Sequence, residues 1–176
     1  MIPFGFAAAR PGETTVYGAQ RPGYSSKLVG LGRVQEWIAF MRAKGIHRVC
    51  CLLPSEQRDY YTCDLLGEYR AVFGADNVCT AEVRDYHLCE SDVLESRILP
   101  FLVESDDSRK PVVVHCSGGS GRTGHVLAAW LVRRRGLSVD EALTAVEATD
   151  RKPREAVENG NATEEQLRQL LAGQYW

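Results

Sequence analysis

Several things are missing from this chain of 176 residues, and each absence removes a class of function. The six cysteines, at 50, 51, 63, 79, 89 and 116, contain no C-x-x-C pair, so four zinc ligands cannot be assembled at familiar spacing. Free thiols fit a reducing compartment, and a cytoplasmic location is expected. No apolar run approaches the roughly 20 residues that span a bilayer. The longest candidate is Val126 to Val132, and no membrane association is expected. Met1 to Ala9 is apolar, but it has no basic start and contains Pro3 and Gly5, which argues against a signal peptide. An excess of charge of one sign is also lacking. The net charge is −2, so there is no global basic field and general nucleic-acid binding is not expected. Repeats and linkers are absent. With 44% hydrophobic residues the chain can build one substantial core, and a single, monomeric domain is expected over residues 1–176, its core over about 27–172.

What the chain does have is concentrated in one stretch. His115-Cys116-Ser117-Gly118-Gly119-Ser120-Gly121-Arg122-Thr123-Gly124 follows the apolar run Val112-Val113-Val114 and precedes a helical pattern. A cysteine thus ends a buried strand, small residues follow, and an arginine opens a helix. Backbone N–H groups, a helix N-terminus and a guanidinium then converge on one point, which suits a phosphate dianion. A helix N-terminus with a nearby cation favours the thiolate, the nucleophilic form of cysteine. Gly118, Gly119 and Gly121 let the loop curl with left-handed dihedrals and turn N–H groups inward. Ser117 and Ser120 are small enough not to block the cradle. Arg122 offers a planar fork for two phosphoryl oxygens, a geometry lysine cannot match.

The rest of the chain alternates. A short strand is expected near Thr14 to Tyr17, then a turn-rich loop at 21–26. Leu31, Val34, Trp37, Ile38 and Met41 recur at helical spacing up to Gly45. Ile46 to Leu53 reads as a strand stopped by Pro54, and Ser55 as the N-cap of a helix running to Gly74. Asn77 to Val83 is the next strand. Ser91 or Asp92 caps a helix carrying Val93, Ile98, Phe101 and Leu102, and Lys110 to His115 is the strand before the loop. Helices follow at about 122–135, 138–149 and 163–172, the last two announced by the capping boxes Ser138-x-x-Glu141 and Thr163-x-x-Gln166. The pattern implies an α/β fold, a central, mostly parallel sheet flanked by helices. Cys116 then stands at the carboxyl end of a strand, where open α/β sheets bind ligands.

Other readings of the loop are weaker. Gly119 to Gly124 satisfies G-x-G-x-x-G after a strand, but the match comes late in the chain and leaves Cys116 and Arg122 unexplained. A nucleotide-binding loop would need Gly-Lys-Ser/Thr, which is absent. A glycine-rich turn with a buried cysteine is the bland alternative.

Cys116 to Arg122 is Cys-x5-Arg, and the run resembles the signature loop of the protein tyrosine phosphatase superfamily. The order of elements from about residue 27 to 172 is similar to its small dual-specificity-type branch. That resemblance implies a two-step reaction without metal or cofactor. Cys116 attacks phosphorus, an aspartic acid protonates the leaving oxygen, and the same carboxylate then activates the water that releases phosphate. It also implies that Thr123 hydrogen-bonds the departing thiolate, that His115 orients the loop, and that Ser117 to Arg122 hold the phosphate.

Asp85, in the loop after the strand ending at Val83, is the candidate acid. The segment Val83-Arg84-Asp85-Tyr86-His87 lacks the Trp-Pro that precedes the acid in the large tyrosine phosphatases. Asp92 is the rival, though helix capping explains it more simply. His87 is a lesser candidate, and His47 and His125 read as structural. Arg133-Arg134-Arg135, before Gly136, suits the helix dipole rather than a polyanion. Arg151, Lys152 and Arg154 fall where small members of the family have a loop flanking the active site, so one of these cations is a candidate substrate contact. Asn159 and Asn161 are candidates to brace the phosphate loop, and Cys89 is a candidate disulfide partner for Cys116 under oxidation. No phosphotyrosine-recognition motif of the large enzymes appears, and Ser120 stands where phosphoinositide enzymes often carry lysine. Phosphorylated proteins or peptides are therefore the expected partners, with phosphotyrosine and also phosphoserine or phosphothreonine as substrates. A phosphopeptide-binding module without turnover, and a phosphatase acting on phosphoinositide or RNA 5'-phosphate, are the alternatives; rhodanese-like or arsenate-reducing cysteine chemistry fits the Arg-Thr-Gly ending less well.

Overall fold

The computed structural model describes residues 2–173; Met1 and residues 174–176 of the expected domain lie outside them. Five strands form one sheet: β1 (Ala7–Ala8), β2 (Val16–Ala19), β3 (Arg48–Cys51), β4 (Val78–Thr80) and β5 (Val112–His115), in the order β1-β2-β5-β3-β4. Only β1 runs antiparallel to its neighbour; the pairs β2–β5, β5–β3 and β3–β4 are parallel. The expected α/β class with a mostly parallel sheet is the fold found.

Continuous apolar runs build the central strands because both faces of the sheet are covered. On one face Val49, Cys51 and Val113 pack with Trp37, Ile38 and Met41 of α1 (Leu31–Ala43) and Tyr69 and Phe73 of α3 (Leu65–Phe73). On the other, Cys50, Val112 and Val114 meet Val126 to Leu131 of α6 (Gly121–Arg135), backed by α7 (Val139–Glu147) and α9 (Glu164–Ala172). Period-two alternation sends successive strand side chains to opposite faces. The same alternation places His115 beside Trp37 and Tyr69, while Cys116 belongs to the opposite cluster.

Several boundaries differ from the sequence reading, each for a local reason. The helix expected from Ser55 to Gly74 is two helices, α2 (Ser55–Arg58) and α3. Between them the chain is recruited by Val29: Val29 N–H donates to Tyr60 O at 2.8 Å and Thr62 N–H donates to Val29 O at 2.9 Å. The Asp64 carboxylate then accepts from Gly67 N–H and starts α3 afresh. Pro54, not Ser55, is the N-cap of α2. Glu90 rather than Ser91 or Asp92 precedes α4 (Ser91–Val93), which passes through a π-turn at Leu94–Ile98 into α5 (Leu99–Asp107). The first strand of the parallel set lies two residues later than expected. Beyond Thr80, Ala81 and Val83 still donate to Cys51 O and Leu52 O, so the chain stays aligned with the sheet as it approaches Asp85. The short helix α8 (Glu155–Glu158) and the edge strand β1 were not foreseen. Both capping boxes form as written in the sequence.

Candidate active site

Register explains where the candidate loop sits. His115 is paired on one side with Ala19 and on the other with Cys51, so Cys116 leaves the sheet from its centre. The loop then turns back to begin α6 at Gly121. Gly119 is the residue in the left-handed region, at φ 67°, and a Cβ there would lie 2.5 Å from the Ala19 backbone. Of the three loop glycines only Gly119 has a positive φ. Gly121 is required by a close approach instead, since a Cβ would overlap the Glu155 carboxylate.

Both ends and the middle of the loop are tied from behind. The Thr123 hydroxyl donates to Cys116 Sγ at 3.2 Å. His115 Nδ1 lies 3.0 Å from Cys116 O and Nε2 lies 3.0 Å from the Tyr69 hydroxyl. A carbonyl oxygen only accepts, so the proton is on Nδ1 and Tyr69 donates to Nε2. Burial pushes the His115 pKa down to about 4, which keeps this neutral tautomer. His125 repeats the arrangement one helical turn along: Nδ1 donates to Gly121 O at 3.1 Å, and Nε2 accepts from Cys89 N–H at 3.0 Å. Burial also pushes His125 down to about 4. The residue read as structural thus links the start of α6 to the loop that carries Asp85.

Two buried arginines complete the support, and sequence reasoning assigned neither to it. Arg21 donates to Ser117 Oγ at 3.0 Å and to Ser26 O at 2.6 Å, fastening the 20–26 turn to the loop. Arg151 donates to Gly119 O at 2.5 Å, Gly18 O at 2.9 Å and Gly5 O at 3.1 Å. Of the three cations among which a substrate contact was left open, Arg151 lies beneath the loop with its donors on carbonyls, because five-donor guanidinium geometry serves several of them at once. Arg154 is paired with Glu147 and Glu164, and Lys152 is exposed. Neither Arg21 nor Arg151 left a pattern in the sequence: Arg151 serves backbone carbonyls distant along the chain, and Arg21 joins the carbonyl of nearby Ser26 to the Ser117 hydroxyl 96 residues away.

In front of the loop, Asp85 meets Arg122. Arg122 Nη2 lies 3.1 Å from Asp85 Oδ1, while Nη1 donates to Gln57 Oε1 at 2.8 Å and to Val83 O at 3.1 Å. Gln57 Nε2 donates to Asp85 Oδ2 at 3.0 Å, so one amide joins the candidate acid to the candidate phosphate-binding arginine. Tyr86 has φ 60°, unusual for a bulky residue, and its amide donates to Asp85 Oδ1 at 3.1 Å. Asn161 Nδ2 donates to Tyr86 O at 2.9 Å. Asn161 therefore braces the Asp85 loop and not the phosphate loop, while Asn159 bonds within α8.

Asp85, Tyr86, Cys116, Arg122, Tyr24 and Glu155 line one cavity of about 150 Å³. Asp92 stays outside it, its carbonyl accepting from Ser96. Cys89 and Cys116 are free thiols, and burial pushes Cys89 up to about 12. Arg133, Arg134 and Arg135 are ion-paired with Glu95, Asp106, Asp107 and Glu13, which supports the structural reading of that run. Among the described residues no helix is long and apolar enough to cross a membrane.

Comparison with known proteins agrees with this geometry. The Tc-R-P family, described as "Polymorphic toxin system, DSP-PTPase phosphatase", matches residues 24–136, well over half of the chain. A stretch of 46 residues is 37% identical to the tyrosine-protein phosphatase cdc-14 of Caenorhabditis elegans, covering 26% of this chain and 6% of that protein. The chain thus corresponds to only a small part of that relative. The active form of Tk-PTP superposes with a TM-score of 0.65 at 26% identity, over 96% of this chain and 99% of that one. PTPMT1 in complex with PI(5)P gives a TM-score of 0.68 at 15% identity, over 96% and 95%. TpbA of P. aeruginosa gives 0.55 at 17%, over 97% and 98%. The last two likenesses are of fold alone. With its Cys-x5-Arg loop at the centre of a phosphatase sheet and its match to the Tc-R-P family, the chain belongs to the DSP-PTPase phosphatases and is a phosphatase of the protein-tyrosine/dual-specificity type.

Proposed function

We propose that the chain hydrolyses phosphorylated proteins through a phosphocysteine on Cys116, acting on phosphotyrosine and, in the same cavity, phosphoserine and phosphothreonine. The observation that carries this is the convergence of Cys116, Arg122 and Asp85 on one small cavity. The phosphoryl group sits over Cys116, held by the backbone N–H groups of Ser117 to Gly121 and by Arg122. Sγ attacks phosphorus as the bond to the leaving oxygen breaks, and Asp85 delivers its proton to that oxygen. Water then attacks phosphorus and gives up its proton to a carboxylate of the cavity, the P–S bond breaks, and its electron pair returns to Sγ, where the Thr123 hydroxyl at 3.2 Å stabilises the thiolate. Arg122 turns from Asp85 and Gln57 to the equatorial oxygens and strengthens its hold as charge redistributes.

Support for an aryl substrate comes from Tyr24 and Tyr86. Both are about half exposed, at 47% and 48%, and both line the cavity, offering aromatic faces to a phosphotyrosine ring. The reading is tested by rapid-quench trapping with a labelled phosphotyrosine peptide in EDTA, for wild type and Cys116→Ser. Label on Cys116 in wild type alone is the expected result. Tight peptide binding with neither label nor released phosphate would instead make the chain a phosphate-binding module.

A further inference from the structure

The cavity contains a second carboxyl that the scheme above does not use. Glu155 opens α8, the short helix absent from the sequence reading, and its side chain lies directly over Gly121 at the edge of the phosphate cradle. A Cβ on residue 121 would occupy its place, so the loop and this carboxylate are fitted to each other. Glu155 is half buried, yet its side chain makes no hydrogen bond or ion pair with any described residue. Asp85 is the opposite case. Its Oδ1 faces Arg122 and the Tyr86 amide, and its Oδ2 accepts from Gln57. One carboxyl is thus held on both oxygens and the other is unengaged in the same cavity.

We propose that the two carboxyls divide the reaction, Asp85 serving the leaving group and Glu155 serving as the general base for the water that hydrolyses the phosphocysteine. The inference rests on the phosphocysteine reading above and changes who completes the cycle. In the second half-reaction, the water oxygen bonds to phosphorus and its proton passes to the Glu155 carboxylate. The P–S bond breaks, its electrons return to Cys116 Sγ, and phosphate leaves. Glu155 then gives the proton to solvent or to the departing phosphate. A carboxylate without a competing partner is free to accept this proton. Burial raises the Glu155 pKa, with the negative charge of Asp85 adding to it, and a base is more effective as its pKa approaches the working pH. Arg122 and Lys152 oppose that rise, and Glu158 adds to it.

The test is Glu155→Gln in the full chain, with p-nitrophenyl phosphate under stopped flow and labelled phosphotyrosine peptide under rapid quench. Loss of the base slows only the second step. The expected result is a kcat lower by about 10²-fold, kcat/KM within about two-fold of wild type, a burst of nitrophenolate approaching one per enzyme, and accumulated label on Cys116. The acidic limb of the kcat–pH profile assigned to this base should vanish, and Glu155→Asp should recover part of kcat. Equal losses in kcat and kcat/KM without a burst would overturn the assignment, as would an unchanged kcat. Matching circular dichroism and melting temperature establish that the variant is folded, and Glu155→Asp gives the same comparison with the charge retained. Phosphate release with no phosphoenzyme in either wild type or Glu155→Gln would overturn the phosphocysteine reading itself, a result distinct from failure of Glu155 alone.

Discussion

The loop from Cys116 to Arg122 and the loop around Asp85 meet across one cavity, but they are held in different ways. The first emerges from the centre of a parallel sheet and is supported by buried groups: His115, Thr123, Arg21 and Arg151 each bond it from beneath. The second lies beyond the end of β4, and the Asp85 side chain is 40% exposed. It is fastened by single contacts from Gln57, Arg122, His125 and Asn161. Electrostatic stabilisation needs fixed dipoles, whereas an acid that must follow a leaving group benefits from a position that can adjust. The architecture supplies both by placing one loop inside the sheet's hydrogen-bond network and the other outside it.

Removing the nucleophile separates the loops most sharply. Cys116→Ser should cut turnover by at least about 10⁴-fold while tungstate binding by calorimetry persists, because the cradle is made of backbone and Arg122. Arg122→Ala should cost about 10³-fold in kcat/KM and weaken tungstate binding as well, since it removes the cradle's guanidinium and the partner of Asp85 together. Retained tungstate affinity in Arg122→Ala would show that the backbone alone holds the anion.

The buried histidines under the first loop predict how it fails in acid. His115 and His125 are each pushed down to about 4 from an ordinary 6.5, chiefly by burial. A base with a depressed folded pKa contributes stability that is fully present above pH 6.5 and is lost as pH falls towards 4, where the unfolded chain takes up protons the folded chain refuses. Each shift corresponds to about 3 kcal/mol at most. Urea midpoints should therefore fall steeply from pH 6.5 to pH 4, and His125→Asn should flatten that slope. A flat profile in wild type would place the support of the loop elsewhere.

Asp85→Asn addresses the second loop. It should slow aryl phosphates with poor leaving groups by about 10²-fold and those with good ones much less, because only a basic leaving oxygen needs the proton. Equal losses across a leaving-group series would assign the acid to another residue.

How much of this could be read from sequence follows from the same contrast. The loop of Cys116 was legible because its groups are contiguous: nucleophile, small residues, arginine and threonine occupy eight consecutive positions between a strand and a helix. Its supports were not legible. Arg151 is 32 residues from the Gly119 carbonyl it serves, and Arg21 is 96 residues from the Ser117 hydroxyl, separations that leave no local pattern to read. Gln57 sat inside a helix that periodicity ran from Ser55 to Gly74, and the break that frees α2 is a tertiary event, the pairing of residues 60–62 with Val29. Glu155 followed three basic positions that drew attention as substrate contacts, and the short helix that turns it into the cavity has no periodic pattern to announce it. Local chemistry was visible; alignment across the fold was not.

Asn161→Ala tests the finest part of the comparison, a single bond from the turn before α9 to the strained residue beside the candidate acid. Tyr86 adopts φ 60° with its carbonyl bonded to Asn161 Nδ2 and its amide to Asp85 Oδ1. A side chain of this size in the left-handed region costs about 1–3 kcal/mol and persists only where neighbours hold it. The bond lies at the surface, so its removal should cost only about 0.5–1.5 kcal/mol in stability. Activity should respond in a specific way. If the bond keeps Asp85 facing Arg122, Asn161→Ala should lower kcat/KM by a few fold on poor leaving groups, leave good leaving groups unchanged, and add nothing when combined with Asp85→Asn. Additive losses in the double variant would show that Asn161 acts on the cavity by a route other than Asp85.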